Sequence, residues 1–352
     1  MAQADRQIVT TEAGFVPPRS EPSWQEAVRL AVRDPSDLAV RLGLPPQVAA
    51  EAADAVAGSQ FPLFVPHEYL ARIKVGDPAD PLLLQVLPTP HETASPPANY
   101  LPDPVGDQRA RRAPGVLQKY DGRALLLVGR ACPVHCRYCF RRVFLGAHGT
   151  PWDVGPDGRT DAALEWIAGH ADIEEVILSG GDPLMLPDGE LRRLCRALEG
   201  MAHVRTLRLH TRMPIMIPQR VDAALLDWIG GSTLRVVVVL HSNHPREWDD
   251  EVAAAARRLG QSGAMLLNQA VLLRGINDEA AVLAELCRRL VAAGVLPYYL
   301  HQLDPVVGAA HFEVPVERGK EIMAALRKRL PGYAVPRYVM EQPGARSKIP
   351  ID

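Results

Sequence analysis

From residue 124 onward the chain alternates short apolar runs with amphipathic stretches. The runs Ala124–Val128, Glu175–Ser179, Arg205–Leu209, Leu234–Leu240, Met265–Ala270 and Leu296–His301 predict strands. Between them, Asp161–His170, Gly189–Leu198, Ala223–Ile229, Arg246–Leu259 and Glu279–Ala293 carry apolar residues at helical spacing, and Glu317–Leu330 follows with the same pattern. That alternation is the signature of βαβ units and a parallel sheet, whose ligands gather at the carboxyl ends of the strands. Upstream, Trp24–Leu42 and Pro46–Ala57 read as helices separated by Pro45 and Pro46. From Pro81 to Pro114 recurring prolines predict an extended linker that wraps the next domain. Three parts are expected: a helical region with its linker over 1–108, an α/β unit over 109–330 and a tail over 331–352.

Composition narrows the class. A chain of 352 residues can bury a full core, and 47% hydrophobic with 23% charged residues is ordinary for a globular protein. The net charge of −2 argues against a broad nucleic-acid surface, and Arg109, Arg111 and Arg112 read as a solvated face. Met1–Phe15 is polar with no apolar h-region, and no apolar run reaches about 18 residues, so neither a signal peptide nor a membrane span is expected. Five cysteines, three of them clustered, suit a reducing compartment, and the cytoplasm is the expected location.

The clustered three lie in Cys132-Pro133-Val134-His135-Cys136-Arg137-Tyr138-Cys139, spaced C-x₃-C-x₂-C directly after the first apolar run. Three thiolates hold three irons of a [4Fe-4S] cluster and leave the fourth open. Zinc would want four ligands in paired spacing, and no second pair exists here. Cys195 and Cys287 sit in Leu/Arg-rich helical segments and read as ordinary apolar residues. With Tyr138 before the last cysteine, the motif resembles the radical S-adenosylmethionine superfamily. That resemblance implies an open (β/α)₆ partial barrel and an S-adenosylmethionine bound at the open iron and cleaved to a 5′-deoxyadenosyl radical. It also places Ser179, Gly180, Gly181 and Asp182, after the second strand, against the cofactor's methionine end. His210 and Arg212, at the end of the third strand, are further candidates for cofactor contact or polar residues satisfied at a sheet rim, as are Asn268 and Gln269. His241 and His244 make one H-x₂-H pair, too little for a metal site, and are read as hydrogen-bonding residues at a strand end.

A second resemblance covers residues 115–352. Cys136-Arg137-Tyr138-Cys139-Phe140-Arg141-Arg142, Leu267-Asn268-Gln269, Leu272 through Asp278, Leu296 through Asp304, Gly308 through Phe312, Gly332 through Pro336 and Pro343 through Pro350 look like the lysine 2,3-aminomutase family. The family implies pyridoxal 5′-phosphate as a further cofactor, a flavodoxin- or ferredoxin-type electron donor, and a 1,2-amino shift that converts L-lysine to β-lysine. Of the five lysines, Lys348 matches the family's cofactor-anchoring position. Lys320 and Lys328 lie on an amphipathic helix, Lys74 lies in the N-terminal region, and Lys119 is expected at the end of the sheet away from the ligands.

By the same matching, Tyr120, Arg123 and Gln269 would contact the cofactor phosphate, and Arg141 the substrate α-carboxylate. Asp304 and Glu341 would receive the ε-ammonium, Glu341 standing where the lysine enzymes usually carry Asp. The chain lacks the long members' zinc-binding extension, and Gly344-Ala345-Arg346-Ser347 replaces their Gly-rich run. The short chain, Phe140 and the ending Ser347–Asp352 resemble the subgroup that makes β-lysine for elongation factor P. Alternatives are a lysine enzyme serving free metabolism, a glutamate or other amino-acid 2,3-aminomutase, and a non-catalytic iron-sulfur protein.

Overall fold

The computed structural model describes residues 23–59, 61–146 and 159–351; the polar stretch Met1–Phe15 lies outside them. The chain runs α1 (Trp24–Leu30), α2 (Pro35–Leu42), α3 (Pro46–Ser59), α4 (His67–Leu70), β1 (Arg111–Ala113), β2 (Val116–Leu117), β3 (Arg123–Gly129) and α5 (Arg142–Gly146). It continues through α6 (Arg159–Ala168), β4 (Glu175–Gly180), α7 (Asp188–Glu199), β5 (Thr206–Thr211), α8 (Met213–Met216), α9 (Ala223–Gly230), β6 (Arg235–His241) and α10 (Asp250–Gln261). It ends with β7 (Met265–Val271), α11 (Ala280–Ala292), β8 (Leu296–His301), α12 (Val316–Arg327), β9 (Arg337–Met340) and β10 (Ile349–Pro350).

All ten strands join one sheet in chain order. β3 to β9 are parallel, while β1–β2–β3 and β9–β10 pair antiparallel. All six expected strands are present, and the four short ones at the edges escaped notice because two to four residues carry no period. The core of β6, Val236–Leu240, is buried without alternation, as a parallel strand covered on both faces must be. The covering helices show why they form. In α7, Leu191, Leu194, Cys195 and Leu198 recur at helical spacing and are buried; in α10, Asp249 caps the start by accepting from Val252 N, and Val252, Ala255, Ala256 and Leu259 face inward. Cys195 and Cys287 are both buried among these apolar side chains.

Three expectations change. Trp24–Leu42 is two helices: Asp34 caps a new start, Pro35 occupies its first position, and Val32 between them bridges to Val65. The stretch expected as Arg246–Leu259 opens as a tight turn over Pro245–Glu247, and α10 begins only after the Asp249 cap. The proline-rich stretch is not an extended linker. It folds into turns that bury Leu82, Leu83 and Val86, pinned by the Asp80 carboxylate accepting from Leu82 N and Leu83 N. One of its turns meets the cysteine loop, where Gln85 O accepts from Arg137 N. Among the described residues no helix is long and apolar enough to cross a membrane.

Candidate active site

The curled sheet encloses a cavity of about 540 Å³ lined from β3 round to β9, by Arg123 and Leu125 at one end and Val339 and Glu341 at the other. The cysteine loop closes one side of it. Cys132, Cys136 and Cys139 all face the cavity. The loop is held from outside: His135 N donates to Phe64 O and Arg137 N to Gln85 O. Arg137 turns away from the cavity, fully buried, and its Nε donates to Glu92 Oε1 at 2.8 Å while Nη2 and Nη1 donate to Phe61 O and Pro62 O. Arg142 closes on the same carboxylate. Burial pushes the Cys132 thiol up, with Cys139 and Cys136 adding to it, and burial with Cys136 takes Cys139 up to about 11. Cys132 is raised by both of its neighbours and Cys139 by Cys136, so the three thiols share one space, and thiolate coordination to iron would relieve that repulsion.

Beside them runs the Ser179–Asp182 turn. A Cβ on Gly181 would lie 2.2 Å from Ala131 O, and one on Gly180, at φ +122°, 2.4 Å from Gly129 O. Only glycine lets this backbone lie against the cysteine loop, where Gly181 N donates to Gly129 O and Asp182 N to Ala131 O. The Asp182 carboxylate accepts from Thr211 Oγ1, Arg212 N, Met213 N and Leu184 N, tying the turn to the end of β5. The cavity therefore meets backbone there, a surface suited to hydrogen-bonding an amino-acid moiety.

Arg212 reaches across to the cysteines. Its Nη1 lies 2.7 Å from Cys136 Sγ and 2.6 Å from Tyr138 Oη, and Nη2 donates to Gln85 Oε1 and Glu247 Oε2. Tyr138 also meets His241 Nε2 at 2.9 Å. The two histidines of H-x₂-H part company: His241 lines the cavity, while His244 Nδ1 accepts from Arg246 N. Both hydrogen-bond as expected, and among the described residues no group of three or more His, Cys, Asp and Glu closes on a single metal ion. His210, His241 and His301 all line the cavity, and burial pulls each below the usual histidine range, His241 to about 3. Gln269 faces the cavity, whereas Asn268 is buried and bonds to Ser242.

Lys348 lines the same cavity as the cysteines. Its Nζ donates to Glu341 Oε2 at 2.6 Å and lies 5.8 Å from the Tyr299 ring centroid. Glu341 Oε1 accepts from Tyr120 Oη at 2.7 Å and lies 3.5 Å from Lys119 Nζ. Burial works against the Glu341 charge, but Lys348 and Lys119 outweigh it and hold the carboxyl below the ordinary range. Lys119 is therefore not remote from the ligand end. It precedes β3 as expected, yet its four-carbon arm carries Nζ into the cavity, where it also pairs with Asp107 Oδ1 at 2.8 Å.

Asp107 Oδ2 accepts from Arg141 Nε at 2.8 Å, and Arg141 Nη1 donates to Ser179 Oγ at 3.0 Å. Asp304 is pushed up to about 7 by burial, against the pull of Lys348. Arg123, Arg208 and Arg337 share the cavity wall with Tyr298 and Tyr299. Arg208 pairs with Glu175, yet its Nε is buried without a partner, an unused donor suited to an anion. A lysine beside two close, tilted tyrosine rings, with guanidiniums nearby, fits a phosphorylated aldehyde cofactor. The sequence missed Asp107, Lys119, Arg208, Tyr299 and His301; the alternation of β5 and β8 could have flagged Arg208, Tyr299 and His301 as inward-facing.

An open parallel sheet with three cysteines in the loop after β3 and a Gly-Gly turn after β4 defines a radical S-adenosylmethionine protein, and residues 126–287 match the Radical SAM superfamily model. Over 333 residues, 95% of this chain and 95% of the relative, it is 42% identical to the L-lysine 2,3-aminomutase of Escherichia coli. It is 39% identical to that of Haemophilus influenzae over 94% of this chain and 96% of the relative, and 37% identical to that of Clostridium subterminale over 80% and 67%. The chain belongs to the lysine 2,3-aminomutase family, a family of isomerases. Its cofactors are the family's: a [4Fe-4S] cluster, S-adenosylmethionine and pyridoxal 5′-phosphate.

Proposed function

We propose that this enzyme converts L-lysine to β-lysine. The observation that carries the reading is one cavity holding a cation for the α-carboxylate, Arg141, and acids for the side-chain ammonium, Asp304 and Glu341, around Lys348. The matching relatives, the L-lysine 2,3-aminomutases of Escherichia coli, Haemophilus influenzae and Clostridium subterminale, support it.

In this reading Cys132, Cys136 and Cys139 hold the cluster, and the backbone of Ser179, Gly180 and Gly181 cradles the methionine end of the sulfonium cofactor. Asp182 fixes that cradle to β5, while His210 and Arg212 flank it. Lys348 anchors the pyridoxal, with Tyr120, Arg123 and Gln269 on its phosphate. When bound, these groups would supply an electron, a radical for hydrogen abstraction and an electron sink for the amino shift. The chain's own residues orient lysine at both ends and exclude water. Burial holds His210, His241 and His301 below the usual histidine range, so they give that interior polar atoms without adding cations.

We infer further that the β-lysine serves elongation factor P, a reading supported by the resemblance at Phe140 and Ser347–Asp352, and that the donor is a flavodoxin or ferredoxin in the reducing cytoplasm. Anaerobic incubation of reconstituted protein with L-lysine should give β-lysine by mass; absence of rearrangement would reject the substrate. Loss of the β-lysyl mass from elongation factor P in a strain lacking the gene tests the destination, and an unchanged factor would point to free metabolism.

A further inference from the structure

Arg141 is held on three sides. Nε binds Asp107, Nη1 binds Ser179, and the guanidinium carbon lies 4.8 Å over the Phe140 ring. Among the described residues Nη2 carries no hydrogen bond, so one edge of the fork remains for a ligand. Asp107 is the only one of these three contacts that bears charge. It is 1% exposed, and Arg141 with Lys119 holds its carboxyl below the ordinary range against burial.

The turn that carries Asp107 is itself fixed at both ends. Asp103 accepts from Asp107 N and Gln108 N, and Lys119 Nζ donates to Val105 O. Gly106 adopts φ +68°, and a Cβ there would lie 3.2 Å from Pro343 Cβ, in the segment leading to Lys348. Charges of alternating sign thus run Arg141, Asp107, Lys119, Glu341, Lys348, with successive contacts of 2.8, 2.8, 3.5 and 2.6 Å. A carboxylate buried between two cations, in a turn braced on both sides, fixes where each cation points.

We propose that Asp107 is a positioning residue for substrate recognition: it holds Arg141 with its open edge toward the α-carboxylate, and through Lys119 keeps that end in register with Glu341 and Lys348. The proposal rests on the reading of Arg141 as the carboxylate anchor, and the experiment separates the two. Reconstituted protein loaded with pyridoxal phosphate is titrated with L-lysine and with 1,5-diaminopentane, which has both amines and no carboxylate, following the pyridoxal absorbance.

In Asp107→Asn the apparent affinity for lysine should fall by about tenfold to a hundredfold, the equivalent of one charge-assisted hydrogen bond. Affinity for the diamine should stay within twofold. Asp107→Glu, which keeps the charge on a longer arm, should recover part of the loss, and it carries the same lysine-against-diamine comparison if Asp107→Asn does not fold. Equal losses for both ligands, or none for either, overturn the proposal. Arg141→Met is the separating control. Unchanged lysine affinity there rejects the carboxylate-anchor reading itself, whereas a loss in Arg141→Met without one in Asp107→Asn rejects only the role of Asp107.

Discussion

Glu341 Oε2 lies 2.6 Å from Lys348 Nζ, so the acid nearest the lysine proposed to anchor the cofactor already faces a cation. Asp304, in the same cavity, has no charged hydrogen-bond partner among the described residues and sits near 7. The two acids are therefore unequal. Asp304→Asn should weaken lysine use by two orders of magnitude or more, since an uncompensated charge in such a pair costs roughly 3 to 5 kcal/mol and about 1.4 is tenfold. Glu341→Gln should cost less in lysine affinity and should also alter the pyridoxal absorbance. Steady-state β-lysine formation and pyridoxal content decide it, with glutamate offered to the parent. Efficient glutamate rearrangement, or unimpaired lysine turnover in both variants, returns the substrate to open.

The same group sets a pH dependence. An acid raised to about 7 in the folded chain, against about 3.9 unfolded, keeps its proton between those values only when folded, so its ionisation lowers stability as pH rises through that window. Substrate ammonium needs the ionised form, so lysine affinity should fall up to tenfold per pH unit below about 7. In Asp304→Asn that slope should be missing and the thermal midpoint at pH 8 should rise relative to the parent. A parent whose affinity is flat from pH 6 to 8 would exclude Asp304 as the titrating acid.

Replacing Cys132, Cys136 or Cys139 by alanine should abolish cleavage of S-adenosylmethionine, because one iron loses its thiolate. Cys195→Ala and Cys287→Ala should leave cleavage intact, both thiols being core residues. Deoxyadenosine release measured by chromatography is the check, and normal release from Cys136→Ala contradicts the cluster assignment.

Lys348→Ala should remove the pyridoxal absorbance and leave the iron-sulfur absorbance unchanged. Lys119, 3.5 Å from the same carboxylate, makes the control necessary. A borohydride-fixed pyridoxal mapped by mass to Lys119 in that variant would reassign the anchor.

Glu92→Gln should leave the buried guanidiniums of Arg137 and Arg142 half-compensated, at a cost on the order of 3 to 5 kcal/mol. Lower iron content and a lower thermal midpoint of the cluster-free protein are expected. Full iron occupancy at an unchanged midpoint would show that Glu92 does not position the cysteine loop.

The sheet was legible because its strands are apolar runs long enough to show a pattern, and the cysteine spacing is local by nature. What the sequence hid is non-local. Glu92 and Asp107 sit in a proline-rich stretch with no period, and their partners Arg137 and Arg141 lie 45 and 34 residues away. Lys119 was misplaced because its backbone position says nothing of how far a lysine arm reaches. The break between α1 and α2 was written in Asp34-Pro35, a cap followed by a first-turn proline, but the apolar spacing on either side masked it.

The bond from Tyr120 to Glu341 spans 221 residues and joins the first strands of an open sheet to the last. Such a clasp has a temporal meaning. Closing so long a loop is unfavourable until the βα units between have docked and shortened the effective separation. The cavity is thus among the latest features the chain assembles, and Lys348, the proposed pyridoxal anchor bonded to Glu341, meets its partners only in a chain that has already folded.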